Sequence, residues 1–331
     1  MPQQVAASKA LIPRVAALIA LVSRPNKSLI TAVRNGNPSK VCKILNDQKK
    51  AVLFDRTFLD WALREMAKQG YEWVVQLLLE KGANVNTAAL GEDTVLVGAS
   101  RNGHEQIVRL LLENGADVNA AGDHDTALIC ASRNGHEQIA RLLLENGAHV
   151  NAFGEHGYTA LVCASQNGYQ QVVRLLLENG ADLNPTGEYG DTALVSASRN
   201  GHERTVRLLL EKGPAVDTAG RHGATSLVSA SQNGHEQIVR LLLEEGTHPD
   251  TTGWGEDTAL VCASQKGHKQ IIRLLLEKGA DINDTRGDTS LVGAARNGHE
   301  QVVQLLLEEG AVINAVGEFG LTAMRAVSRK R

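Results

Sequence analysis

The chain has 331 residues, of which 43% are hydrophobic and only 3% aromatic, and its formal net charge is −3. Residues 1–46 hold seven basic side chains and no acid, so residues 47–331 carry −10. An acidic surface is a poor electrostatic partner for phosphate backbones, which argues against a nucleic-acid ligand. The composition predicts a core of Leu, Val, Ile and Ala rather than of aromatic rings.

Residues 1–27 are the first predicted element, and two interpretations stay open for them. The apolar run at 15–22 is far shorter than the roughly 20 residues that span a bilayer, so we predict no membrane span. We interpret the segment as a helix that caps the apolar end of the following array. The alternative is a targeting segment: basic residues without acids resemble a mitochondrial presequence, and a short basic stretch before a short apolar stretch resembles a secretory signal.

Residues 28–331 are predicted to form one array of repeated units. The segment Arg-Asn-Gly-His-Glu-Gln-Ile-Val-Arg-Leu-Leu-Leu-Glu begins at Arg101, and its His104 position recurs after steps of 32, 33, 33, 33, 33 and 31 residues. A fixed period near 33 indicates a stack of small units that cannot fold alone. We predict about nine helix pairs, followed by a truncated tenth that begins at Thr322.

Each unit reads as two short helices. Thr94 is a predicted N-cap, and Gly103 ends the first helix because glycine tolerates the left-handed conformation. The second helix places Ile107 and Leu111 on one apolar side at helical spacing, and Gly115 ends it. A glycine-containing turn, which we call the finger, joins one unit to the next and is predicted to be hairpin-like.

The order Thr-x-Leu, Gly-His, Ile-Val-x-Leu-Leu-Leu and Gly-Ala-Asp-Val-Asn, at this period, resembles the ankyrin repeat. The resemblance covers residues 28–331. The sequence of the units is similar to that of long arrays in filamentous fungi. It departs at Thr-Val-Leu-Val and its variants, where the family has Thr-Pro-Leu-His. The resemblance implies an all-α solenoid of stacked helix-turn-helix units with hairpin-like fingers. It also implies that a protein partner binds the concave surface formed by the fingers and the first-helix ends.

Three of the four cysteines, Cys130, Cys163 and Cys262, share one position in the unit. Equivalent positions on stacked helices are roughly 8–10 Å apart, whereas a disulfide requires Cα atoms within about 7 Å. We therefore predict buried free thiols, which favour a reducing, cytoplasmic compartment. Nuclear and mitochondrial locations stay open, because the chain ends in Arg329-Lys330-Arg331 and begins with the basic segment described above.

Two columns of residues are the predicted partner-binding site. The first, which we call the ladder, closes the first helix of each unit and supplies hydrogen-bond donors for carboxylates and peptide carbonyls. Its members are Arg101, Arg133, Gln166, Arg199, Gln232, Gln265 and Arg296. The second column lies in the fingers, where the units differ most and where aromatic side chains concentrate, as in binding hot spots. Its members are His124, His156, Tyr158, Tyr189, His222, Trp254, Arg286 and Phe319.

No pattern in the chain predicts catalysis, a metal ion or a cofactor. Successive members of the His104 column are too far apart to share a zinc ion, and we interpret them as bonding to neighbouring backbone. The sequence thus predicts a monomeric, non-enzymatic scaffold or adaptor that binds a protein. Two alternatives remain: the sensor portion of a larger receptor-like protein, and an enzyme with its site in the concave groove built on His156, Tyr158, Tyr189 and His222.

Overall fold

A computed structural model describes residues 31–32, 35, 37–45, 56–88, 91–185, 191–220, 223–252, 257–284, 288–317 and 322–324. The cap or targeting segment predicted at 1–27 lies outside these residues. Helix α1 is the second helix of the first repeat. The helices are α1 Pro38–Leu45, α2 Arg56–Gln69, α3 Glu72–Glu80, α4 Val95–Arg101, α5 Glu105–Glu113, α6 Ala127–Arg133, α7 Glu137–Glu145, α8 Ala160–Gln166, α9 Gln170–Glu178, α10 Ala193–Arg199, α11 Glu203–Leu210, α12 Ser226–Asn233, α13 Glu236–Glu244, α14 Ala259–Lys266, α15 Lys269–Glu277, α16 Ser290–Asn297 and α17 Glu300–Glu308.

The helices pair as the period predicts. The repeats are grouped in two compact blocks, each of several repeats: residues 1–123 are called the first unit and residues 124–331 the second unit. In the first unit, α2 packs on α3 and α4, and α5 packs on α3 and α4. In the second unit the first helices α6, α8, α10, α12, α14 and α16 stack on one another in order. Each second helix packs against its own first helix, and α7, α9, α11, α13 and α15 also stack on one another in order.

Helix ends are set by the residues that the sequence singles out. The hydroxyl of Thr94 accepts a hydrogen bond from the amide of Val97, and six further threonines do the same, at 3.2 to 3.4 Å. Gly103 adopts φ 80° just beyond the end of α4, which only glycine enters without strain. The predicted caps are therefore confirmed, and the missing family proline is replaced by residues that continue the helix.

The core is aliphatic, as the composition predicts. Leu111 and Leu143 are fully buried, and Cys130, Cys163 and Cys262 are buried free thiols as predicted. Beyond the last complete unit, Met324 is 72% exposed, beside a cavity of about 690 Å³ that Leu307 and Ile313 line. Within the described residues, no helix combines the length and apolarity needed to cross a membrane.

A column of buried serines precedes the ladder in the first helices. Ser132, Ser165 and Ser198 are 0% exposed, and their hydroxyls have no hydrogen-bond partner among the described residues. The same holds for Ser100, Ser231 and Ser264. In the last complete unit this position is Ala295. A buried unsatisfied hydroxyl costs about 1 to 3 kcal/mol, so this column is a weakness of the core.

We expect Ser165→Ala to raise the free energy of unfolding by about 1 kcal/mol, because it removes an unpaired polar group and alanine is a better helix former. Urea denaturation followed by circular dichroism measures the change. The matched control is Ala295→Ser in the last complete unit, which is expected to lower stability by a similar amount. An unchanged or lower stability for Ser165→Ala would contradict the expectation.

Candidate functional site

The ladder residues stand at the ends of the first helices, on the side of the fingers. Gln166 and Gln232 are exposed, whereas the arginines and Gln265 are half-buried. The stacking of α6, α8, α10, α12, α14 and α16 brings the six ladder residues of the second unit, from Arg133 to Arg296, into one row. Arg101 lies in the first unit at the end of α4. The predicted row of polar side chains is therefore formed in the second unit, and the first unit holds one of the predicted members.

Every ladder arginine is paired with an aspartate eight residues earlier, at the base of its own finger. Arg101 makes two bonds of 2.9 Å to Asp93, and Arg133 bonds Asp125 at 2.5 Å. The same pairing joins Arg199 to Asp191 and Arg296 to Asp288. The carboxylates of Asp125, Asp191 and Asp288 are nearly inaccessible to solvent, with side-chain exposures of 3% to 4%. The arginines therefore balance buried charges before they meet any partner.

The buried carboxylates also touch the following finger. An oxygen of Asp125 accepts a hydrogen bond from the amide of Glu155 at 3.2 Å. A side chain at Gly154 would collide with that same oxygen, and a side chain at Gly220 would collide with Asp191. Each such aspartate thus joins the end of its own first helix to the next finger.

Burial alone would lower the pKa of Arg133, but the neighbouring Cys163 and Asp125 outweigh it and raise the pKa. Burial raises the pKa of the Cys163 thiol, and burial together with the charge of Asp257 raises the pKa of Cys262 to about 12. Thiols with raised pKa values are poor nucleophiles at neutral pH, since the thiolate is the reactive form. These cysteines have the properties of packing residues.

Three units lack the ion pair. Gln166 follows Tyr158 by eight residues, and Gln232 follows Ala224 by eight, so both partners are replaced together. In the third, the side-chain amide of Gln265 donates a hydrogen bond to Asp257 at 3.3 Å. Because glutamine is neutral, it does not balance the negative charge of Asp257. Burial raises the pKa of Asp257, and the charge of the next aspartate in the row acts in the same direction.

We expect Gln265→Arg to rebuild the ion pair of the other units, to lower the pKa of Asp257 and to add about 1 kcal/mol of stability at neutral pH. In the wild-type protein, the raised pKa of Asp257 means that the folded state loses stability as the pH rises through that pKa. With arginine present, the gain should be full at neutral pH and disappear as the pH falls and Asp257 is protonated. Denaturation of both proteins between pH 4 and about 8 measures the difference. A pH-independent difference would contradict the expected pairing.

The asparagines next to the ladder have their own helical partners. The side-chain amide of Asn102 donates to the carbonyl of Gly98 at 2.8 Å. Asn134, Asn167, Asn200, Asn233 and Asn297 make the same bond four residues back, at 2.8 to 2.9 Å. One amide hydrogen of each asparagine is used in this way, and the other is directed elsewhere. The bond fixes the orientation of each exposed amide.

The histidine column bonds to backbone, as the sequence predicts. Nε2 of His202 lies 3.0 Å from the carbonyl oxygen of Gln166 in the preceding unit, and His104, His235, His268 and His299 repeat the contact at 3.0 to 3.2 Å. Each ring lies against the glycine two residues after that carbonyl. In the described part of the chain, no cluster of three or more His, Cys, Asp or Glu side chains is placed to hold a metal ion.

Only part of the finger column falls within the described residues. His124 and His156 are exposed, Tyr158 is half-buried, and the neighbouring Phe153 is 52% exposed. His156 adopts φ 59° in a short 3-10 turn, and its Nε2 lies 3.4 Å from Glu155. The fingers that carry Tyr189, His222, Trp254, Arg286 and Phe319 lie outside the described residues.

The first unit contains a polar cavity of about 380 Å³ on the same side as its ladder position. Trp61, Arg64 and Lys68 of α2 line it together with Glu92 and Arg101. Arg64 is tied to Thr87 at 3.3 Å and to Glu92 at 3.4 Å. Lys68 is exposed and occupies the ladder column of α2. Neither this cavity nor the larger one beside Met324 includes His156 or Tyr158.

The structure brings in one set of residues that the sequence reasoning missed: the aspartates Asp93, Asp125, Asp191 and Asp288. A signal for them is present in the sequence, because every ladder arginine from Arg101 onward has an aspartate eight residues earlier, whereas two of the three ladder glutamines do not. Comparison of the units with one another would have shown that the two positions change together.

Comparison with known proteins identifies the repeat. The model described as "Ankyrin repeats (3 copies)" matches residues 66–154, 96–187, 184–253 and 248–316. The human ASB11 ankyrin repeat domain, a crystal structure, is similar with a TM-score of 0.60 and 28% sequence identity, over 66% of this chain and 98% of that one. A search of curated proteins gave no match. Since the family model matches most of the chain and the helix pairs have the order that the resemblance implied, the chain belongs to the ankyrin-repeat family.

Proposed function

We propose that the protein is a non-enzymatic scaffold or adaptor that binds a protein partner on the face formed by the ladder and the fingers. Ankyrin repeats are general protein–protein interaction modules. The observation that carries the proposal is the row of polar side chains at the first-helix ends of the second unit, from Arg133 to Arg296. In the family's solenoid this face is the concave one.

The two columns differ in what they offer a partner. Ladder side chains repeat with little change, so they supply a regular set of hydrogen bonds. The fingers differ from unit to unit and carry the aromatic side chains, so they supply selectivity. Tyr189, His222 and Trp254 are the proposed apolar anchors, and Arg101, Arg133, Arg199 and Arg296 contact polar groups with the N–H donors that their aspartates leave unused.

The experiment is affinity capture with the wild-type chain and with Trp254→Ala, followed by quantitative mass spectrometry. The variant is expected to lose about tenfold or more of the captured partner, since a buried aromatic anchor contributes roughly 2 kcal/mol or more to binding. Trp73→Ala is the matched control, because it removes the same side chain at an exposed position, 47% accessible, on the second helix α3.

Equal capture by wild type and Trp254→Ala would refute the finger assignment. A loss that Trp73→Ala shares would point to the second helices instead. Circular dichroism of both variants should match the wild type; a variant that unfolds would be set aside, and its loss of capture would not count for the finger assignment.

A further inference from the structure

The ladder of the second unit carries little charge. Arg133, Arg199 and Arg296 are neutralised by the aspartates beside them. The remaining charged pair is Lys266, which is exposed, and Asp257 in the same unit. At the first-helix ends and the aspartate positions eight residues before the ladder, the second unit therefore has four cations, Arg133, Arg199, Lys266 and Arg296, and four acids, Asp125, Asp191, Asp257 and Asp288. Such a face has no electrostatic preference for an acidic partner.

Amide groups dominate the exposed part of this face. Gln166 and Gln232 are exposed, and within the described residues their side chains make no hydrogen bond. Beside them Asn167 and Asn233 are also exposed, each held by a bond of 2.8 to 2.9 Å to its own helix. A partner therefore meets neutral N–H donors, of which those of the asparagines are held in fixed orientations and those of the glutamines can turn toward it. The groups that such donors bind best without charge are main-chain carbonyls.

The spacing of these amides selects one backbone conformation. Stacked helices repeat at roughly 8–10 Å, so Asn167, Asn200 and Asn233 follow one another at about that distance, and Gln166 and Gln232 lie two such repeats apart. A polyproline II segment rises about 3.1 Å per residue with three residues per turn, so it presents a carbonyl on the same face about every 9 Å. In a flat extended strand, by contrast, two residues that are three positions apart point to opposite faces. The polyproline II repeat thus matches the repeat of the amides.

Polyproline II also suits the chemistry of the face. Its carbonyls make no internal hydrogen bonds, so they are available to the amides. Proline has no N–H, so a proline-containing segment brings few donors that need a partner of their own. Tyr158, half-buried in the column of the aspartates and eight residues before Gln166, supplies an aromatic surface of the kind on which prolines pack.

We propose that the amide row of the second unit, centred on Gln166 and Gln232, binds an uncharged, proline-containing segment of a partner in the polyproline II conformation, with three partner residues to each ankyrin unit. The proposal rests on the proposed function, because it uses the same face. It assigns recognition of the main chain to the glutamines rather than to the paired arginines.

The test uses the full chain as bait and three displayed libraries of peptides about 15 residues long, which is more than the three units from Gln166 to Gln232 require. One library has proline at every third position and uncharged residues elsewhere. The second has the same composition with the prolines placed at random, and the third has an acidic residue at every third position. The first library is expected to be enriched over the other two.

Peptides enriched from the first library are expected to bind with affinities that change less than about twofold between ~50 and ~500 mM salt. Gln166→Ala combined with Gln232→Ala should weaken them about tenfold or more, from the loss of two or more hydrogen bonds. Gln138→Ala combined with Gln237→Ala is the matched control, because both side chains are exposed on second helices. This control should leave binding unchanged.

Three results would overturn the inference: enrichment of the acidic library, binders that do not need Gln166 and Gln232, or no enrichment from the first library. None of these decides the proposed function, which is tested by capture of a partner and its dependence on Trp254. If capture depends on Trp254 while the first library fails, the face binds a partner of another kind.

Discussion

Asp191→Ala is expected to lower the free energy of unfolding by about 2 kcal/mol. The aspartate is 3% exposed and paired with Arg199, so its removal leaves a partly buried guanidinium without its carboxylate. Breaking a fully buried pair costs about 3 to 5 kcal/mol, and the value is smaller here because 32% of the Arg199 side chain is exposed. Urea denaturation at neutral pH measures the loss.

The chain itself supplies the compensating change. Another unit has Ala224 and Gln232 at these two positions, so Asp191→Ala combined with Arg199→Gln copies a natural combination. The double variant is expected to lie within about 1 kcal/mol of the wild type, which gives a coupling energy of roughly 1 kcal/mol or more. Additive losses from the two single changes would show that the pair contributes nothing.

Gly201→Ala should cost about 3 kcal/mol, the largest effect expected from a single methyl group. Gly201 has φ 77°, where a side chain adds about 1 to 2 kcal/mol of strain. The added Cβ would also lie 2.6 Å from the ring of His235, which bonds the carbonyl of Arg199 at 3.1 Å. Displacement of that ring removes a contact between neighbouring units as well.

The control for this change is Gly213→Ala in the same unit. Gly213 has φ 68° and nothing within 4 Å of the added Cβ, so it carries the strain without the collision. It is expected to cost about 1 kcal/mol. Thermal unfolding of both variants separates the two contributions, and equal losses would mean that the ring of His235 moves aside without penalty.

The regular parts of the fold follow from the sequence because they depend on local chemistry. Thr94 caps the helix that begins at the next residue, by accepting from the amide three residues ahead, and Gly103 follows the end of that helix, so neither needs a distant partner to be recognised. The stacking followed from the period, since a unit of this size cannot bury its own apolar side. These expectations needed no knowledge of how side chains meet between units.

The candidate site was harder to predict because its polar groups are satisfied by non-local contacts. Arg199 resembles a free donor when the ladder is considered alone, yet its charge is balanced by Asp191 across the turn of the finger. The side-chain amide of Asn200 likewise donates a hydrogen bond to the carbonyl of Ser196. Column position showed which side chains share a face, but only the paired change of two columns could show which of them are already bonded.

The bond between each histidine and the preceding unit bears on how the array can change its length. His202 contacts the carbonyl of Gln166, and His235 makes the equivalent contact with Arg199, in both cases 36 residues earlier. Loss of residues 167–199 would therefore bring His235 to the carbonyl of Gln166, with a geometry already present in the protein. Whole units can therefore be lost or duplicated, and the new neighbours make the same histidine-to-carbonyl contact that the other units make.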